Sequence, residues 1–194
     1  SYLSNVVGVA GVDGSYASTH GNPQISYGMT YYFNDTYLNP LDNTLVNITG
    51  IPYYYPASDA IGVNTEIVNY VSSGISFYNY TAHGYNGGFA DPSFLISNVN
   101  SLTNSGKYPL VVGNCCLTGS FGDAECFGEA WLNAADKGGI GFIGASMSTY
   151  WDEDLAMGVG LAASGQVPPP LDTANPGMYD GNMALGYSTQ AGMK

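Results

Sequence analysis

Four short apolar runs constrain this chain more than any other feature: 5–12 (NVVGVAGV), 75–82 (ISFYNYTA), 109–114 (PLVVGN) and 140–145 (IGFIGA). Each is rich in β-branched or aromatic side chains and bounded by turn formers, the pattern of a buried strand. Helical periodicity fills the intervals. Ile67, Val68 and Val71 share a face in 64–73, with Gly74 as a stop. Leu95, Val99 and Leu102 do the same before Gly106, and Asp91-Pro92 reads as the N-cap and first-turn proline of that helix. Phe127, Ala130, Trp131 and Ala134 form a stripe that stops at Gly138-Gly139. Further helices are expected near 27–33, 153–163 and 182–187, while 15–56 otherwise reads as loop. Strands alternating with helices across short connections imply an α/β fold with a mainly parallel sheet covered on both faces. A length of 194 residues suits one such domain, taken as 1–165 with 166–194 as its irregular tail.

The charge balance narrows the partners. Lys107, Lys137 and Lys194 are the only cationic side chains apart from two His, there is no Arg, and the net charge is −12. Such a chain cannot neutralise a row of phosphates, which excludes nucleic acid and anionic membrane surfaces. No apolar run approaches the roughly 20 residues of a membrane span, and 1–20 lacks the basic start of a signal peptide, so the chain is expected to be a processed product or an excised piece. Adjacent Cys115 and Cys116 do not suit a mutual disulfide, so with Cys126 at most one bridge forms and one thiol stays free. The three Asn-X-Thr sequences at Asn34, Asn47 and Asn79 are expected to arise by chance in an Asn- and Thr-rich chain.

In open α/β sheets the loops leaving the carboxyl ends of the strands converge on one rim. The four predicted strands deliver Asp13, His83-Gly84, Cys115-Cys116 and the 146–154 loop to that rim. A Cys becomes a nucleophile when an imidazole can take its proton, and an acid that fixes the imidazole improves it. A Gly beside the His lets a backbone amide approach a developing oxyanion. The plainer alternatives are an inert buried Cys, a structural His and an ordinary Asp-Gly turn. His20, in a loop of Ser, Thr, Gly and Asn, is expected to be solvated.

Tyr80-Thr81-Ala82-His83-Gly84, Ala90-Asp91-Pro92, Lys107-Tyr108, Val112-Gly113-Asn114-Cys115-Cys116, Cys126-Phe127-Gly128-Glu129 and Tyr150-Trp151-Asp152-Glu153-Asp154 together resemble the gingipain family of cysteine peptidases, its Lys-specific branch above all. Gly8–Asp13 and Tyr27-Gly28-Met29 with Tyr31-Tyr32 are similar too. The likeness is dense over 5–32 and 75–160, looser over 33–74 and weak after 161. It implies a caspase-like three-layer sandwich. It also implies roles: Cys116 as nucleophile beside a non-catalytic Cys115, His83 as catalytic imidazole, Asp13 as its orienting acid, and the amides of Gly84 and Cys116 as oxyanion hole. Asp154 then meets a substrate ammonium in the primary specificity pocket, with Thr81, Trp151 and Tyr150 lining it.

The resemblance covers only the second half of the family's catalytic domain, so a partner chain or an N-terminal subdomain is expected to complete it. It further implies secretion or surface display, and a structural Ca2+ for which Asp123, Glu125 and Glu129 are candidate ligands. The plainer expectation for those three is solvent-facing carboxylates at a helix start. No cofactor is needed for the chemistry. The expected activity is endopeptidase cleavage after a basic residue, Lys before Arg, on protein or peptide substrates. Two alternatives stand beside it: a binding module that keeps the fold and uses its Tyr clusters as an adhesive surface, and a Cys-dependent acyl transferase.

Overall fold

The structure is a computed structural model that describes residues 2–33, 36–38, 45–122, 124–160, 166–172 and 174–181. Five strands form one sheet: β1 (Asn5–Ala10), β2 (Thr49–Tyr53), β3 (Phe77–Thr81), β4 (Leu110–Asn114) and β5 (Gly141–Gly144). Their order is β5-β4-β3-β1-β2, every pair parallel. Five helices connect or follow them: α1 (Asn22–Tyr31), α2 (Val63–Ser73), α3 (Ile96–Ser101), α4 (Phe127–Asn133) and α5 (Trp151–Val159).

The alternation of β1 shows how the layers arise. Val7 and Val9 point into a core shared with α2, α3 and α4, whereas Val6 and Ala10 point into a second core shared with α1 and α5. Gly8 faces α1, where an added Cβ would come within 2.5 Å of Met29 Cε. That close approach seats α1 on the sheet. The chain leaves β1 for β2 on one side and then crosses back over β1 to reach β3. The parallel crossovers keep one hand, so α1 and α2 fall on opposite faces. The direction of winding therefore reverses between β1 and β3, and a crevice opens beyond their carboxyl ends.

Several expectations need correction. Residues 49–53 (TGIPY) form the edge strand β2, not loop; Pro52 lies opposite Gly8 and needs no outward donor at an edge. Asp91-Pro92 does not open a helix. The Asp91 carbonyl instead accepts from Val12 N (2.9 Å) and Tyr80 OH (3.1 Å), in the turn between the short strands Gly88–Phe89 and Phe94–Leu95. α3 starts five residues after Asp91, its entry fixed by Asn98 Oδ1 accepting from Leu95 N. α1 begins and ends earlier than 27–33, and α5 begins at Trp151. The helix expected near 182–187 lies outside the described residues.

The described part of the segment after the prolines is not peripheral. Met178 and Tyr179 are buried in the second core, and Asp180 accepts hydrogen bonds from the hydroxyls of Tyr27 and Tyr32. The Tyr clusters are likewise structural. Tyr31, Tyr32 and Tyr54 pack against the second core and Tyr53 against the first, while Tyr27, Tyr78, Tyr80 and Tyr179 are fully buried. All three Cys are free thiols. Asn79 is wholly buried, bonded to Tyr179 and Gln24, and closed to a glycan. Asn34 lies outside the described residues.

Candidate active site

Asp13 follows β1 by three residues. Gly11 N donates to Thr81 O at 3.0 Å, tying this exit to the end of β3. Asp13 Oδ1 accepts from the amides of Ser15 and Tyr16, both at 2.7 Å, which folds the loop back as an Asx turn. Its other oxygen, Oδ2, lies 2.7 Å from His83 Nε2. Burial alone pushes the Asp13 carboxyl up. The Tyr16 amide, the His83 ring and the Ser15 amide outweigh it and hold the group below the usual carboxylate range. Asp13 is thus held as an anion against the His83 ring.

His83 is set by its own backbone. Its carbonyl accepts from Tyr80 OH (2.9 Å) and Ala90 N (3.0 Å), and its half-exposed ring meets the edge of Trp151 at 5.7 Å between centroids. Gly84 follows, and a Cβ there would lie 2.5 Å from Cys115 Sγ and 2.9 Å from the Cys116 carbonyl. Only Gly lets the two strand ends approach this closely.

Cys116 leaves the end of β4, and Leu117 after it takes a left-handed backbone, φ 63°. A β-branched or bulky residue is strained there, and such strain sits where a sharp turn presents a side chain. The two adjacent thiols differ sharply. Cys115 is fully buried, and burial pushes its thiol well up, leaving it protonated. Cys116 is partly exposed and its sulfur accepts from Thr149 N at 3.3 Å. Among the described residues no hydrogen bond joins Cys116 Sγ to His83; the sulfur's partners are all on Thr149.

Asp154 lies in the first turn of α5 and is 7% exposed. Burial raises its carboxyl to about 6, against the lowering influence of a 2.8 Å hydrogen bond from Thr149 Oγ1, with neighbouring Glu153 raising it further. Its main-chain carbonyl accepts from Gln24 Nε2 (2.7 Å) and Asn114 Nδ2 (2.6 Å), so both the sheet and α1 hold the turn. A cavity of about 260 Å³ opens beside it, lined among others by Asn114, Ala145, Thr149, Glu153 and Met157. Thr81 lies opposite Asn114 on the neighbouring strand and is buried; neither it nor Tyr150 nor Trp151 lines this cavity. Tyr150 is 71% exposed, and Trp151 stacks on Tyr16 at 5.7 Å.

Residues 1–192 match the family model of Peptidase family C25. The chain belongs to that family. Lys-gingipain W83 of Porphyromonas gingivalis is 38% identical over 181 residues, which are 93% of this chain and 10% of that protein. Gingipain R2 of the same species is 30% identical over 91 residues, 44% of this chain and 12% of that one. The chain thus spans about a tenth of the length of the curated relatives it matches. A solved structure described as "Structure of Protease" superposes with TM-score 0.76 at 35% identity, covering 95% of this chain and 38% of that one. The Arg-specific cysteine proteinase gingipain R superposes with TM-score 0.61 at 23% identity, covering 79% and 34%, and shares the caspase-like fold.

The C25 match runs through the tail, past residue 161 where the motif words thin out. Two of the three candidate metal ligands lie among the described residues. Glu129 accepts from Cys126 N at 2.9 Å as the capping group of α4, Glu125 is exposed, and Asp123 lies outside the described residues. No group of three or more His, Cys, Asp or Glu converges on one point among the described residues. Nor is any described helix long and apolar enough to cross a membrane.

His20 corrects another expectation. Its Nε2 lies 2.9 Å from Asp152 Oδ1 and its Nδ1 2.8 Å from Thr19 Oγ1, and its ring meets Tyr16 and Trp151. Both histidines of this C25 chain therefore touch one indole. Sequence reasoning missed Thr149 altogether, because a hydroxyl in a polar loop carries no pattern; its place between Cys116 and Asp154 is visible only in three dimensions.

Proposed function

We propose that this chain carries the reacting groups of a secreted cysteine endopeptidase that hydrolyses peptide bonds after Lys. One observation carries the reading: the Asp13–His83 pair at 2.7 Å stands at the switch point between β1 and β3, with Cys116 at the end of the next strand. Three groups of the required types thus leave neighbouring strands on one rim.

The Cys116 thiolate attacks the carbonyl carbon of the P1 residue. The amides of Gly84 and Cys116 receive the oxyanion. As the C–N bond breaks, the imidazolium of His83 gives its proton to the leaving amine through Nδ1, since Nε2 is held by Asp13. A water then gives a proton back to His83 and attacks the thioester, releasing the acid and restoring the thiolate. That Cys116 Sγ bonds to Thr149 and not to the imidazole suits this order, because the scissile group enters between thiol and ring.

Asp154 supplies the preference for Lys. A carboxylate with little solvent is costly unless a cation joins it, and an ammonium at the end of a four-carbon stem suits a cavity of about 260 Å³ that Asp154 lines. Trp151, whose ring meets the His83 ring, opens the helix that carries Asp154. A further part of the protein, for which this chain's 38% coverage of the matched solved protease leaves room, completes the substrate cleft. The test is amidolytic turnover under reducing conditions at about pH 7 on peptides that differ only at P1. Cleavage after Lys, weaker after Arg and absent after norleucine supports the reading. Equal turnover at all three, or none, refutes it.

A further inference from the structure

Among the described residues, Thr149 hydrogen-bonds both the sulfur of the nucleophile and the carboxylate of the pocket acid. Its amide donates to Cys116 Sγ at 3.3 Å and its hydroxyl donates to Asp154 Oδ2 at 2.8 Å, while the same hydroxyl oxygen stands 3.8 Å from the sulfur. The segment before it is anchored independently, since Leu117 N donates to Met147 O (3.1 Å) and Gly119 N to Ala145 O (2.9 Å). The backbone of 145–149 therefore follows the Cys116 loop, and among the described residues the Thr149 hydroxyl is the hydrogen bond that joins this segment to the Asp154 carboxylate.

We infer that Thr149 is a specificity-determining residue that couples the charge state of the P1 pocket to the placement of the nucleophile. The inference rests on the reading of Asp154 as the P1 partner. With a cation absent, the hydroxyl is the bond that favours the ionised carboxylate, whose other close titratable neighbours are Glu153 on α5 and the Cys115 thiol at the end of β4. With a lysyl ammonium on the carboxylate, the hydroxyl keeps Asp154 registered on the segment that holds the sulfur. Occupying the pocket then fixes the same backbone amide that positions Cys116. A substrate without a P1 cation does not engage this link.

Thr149→Val keeps the shape and the amide and removes only the hydroxyl; Thr149→Ser keeps the hydroxyl and serves as rescue. The measurement is n-butylammonium binding by the unmodified chain and both variants from about pH 4.5 to 8, beside kcat/KM for a lysyl peptide over the same range. A hydrogen bond to a charged acceptor is worth enough that Thr149→Val should weaken binding at pH 6 about tenfold or more and move the acid midpoint up by about one unit. Thr149→Ser should restore both. A wild-type midpoint in Thr149→Val, or no rescue by Ser, overturns the inference while leaving the Lys pocket intact. Failure of n-butylammonium to bind the unmodified chain at any pH overturns the pocket reading and this inference together.

Discussion

Replacing Asp154 by Asn should make the protein more stable at neutral pH and nearly useless toward lysyl substrates. Burial moves this carboxyl from 3.8 to about 6, and the side chain has almost no contact with solvent. The folded state thus holds the proton more tightly than the unfolded one. Stability therefore falls as pH rises between about 4 and 6, and the deficit is complete above that window. A shift of roughly two units at 1.36 kcal/mol each amounts to about 3 kcal/mol. Asn carries no charge, fits the same space and can still accept the Thr149 hydroxyl, so Asp154→Asn should recover up to about 3 kcal/mol at pH 8 and almost nothing at pH 4. Urea unfolding at the two pH values reads this as a difference in midpoint at constant slope. Turnover of lysyl peptides should fall by about two to three orders of magnitude, because a desolvated ammonium loses its counter-charge. A gain that is equal at pH 4 and 8, or a loss of stability at pH 8, would show that Asp154 is not a buried anion.

Three further outcomes follow from the geometry. Asp13→Asn should lower kcat by about 10²- to 10⁴-fold with KM little changed, since it removes the acceptor that fixes His83; an effect confined to KM would contradict the orienting role. Gly84→Ala places a methyl 2.9 Å from the Cys116 carbonyl, so turnover should drop by at least about tenfold while the far-UV circular dichroism stays unchanged, and normal turnover would remove Gly84 from the oxyanion site. Lys107 Nζ donates to Ser73 O (3.0 Å) and Lys137 Nζ to Asn100 O (2.9 Å), which holds both side chains on helix ends; incubation for a day followed by intact-mass measurement should show no cleavage after either residue.

Much of the fold and the rim was legible in the sequence, for physical reasons that also explain the gaps. Strands β1, β3, β4 and β5 are buried or flanked on both faces, so continuous apolar runs mark them, and their ends deliver Asp13, His83 and Cys116 to one crevice. Strand β2 escaped because an edge tolerates Gly50 and Pro52 and half-exposed side chains, which read as loop. Asp91-Pro92 has the chemistry of a helix start, but its carbonyl is spent on Val12 and Tyr80, a tertiary contact that outweighs local propensity. His20 and Thr149 lie in polar loops where no periodicity speaks, and their roles depend on α5 returning to the rim. The tail hid its packing for the same reason: Met178 and Tyr179 complete a core that the other segments only partly fill.

The central claim is that Cys116 alone among the three thiols is poised for acyl transfer beside a pocket for a lysyl side chain. Incubation with a lysyl chloromethylketone, followed by peptide mapping by mass spectrometry, tests it directly. The account predicts one adduct, on Cys116, formed faster than with the corresponding norleucyl reagent and abolished by His83→Ala. Adducts spread over Cys115, Cys116 and Cys126, or equal rates for the two reagents, would contradict it.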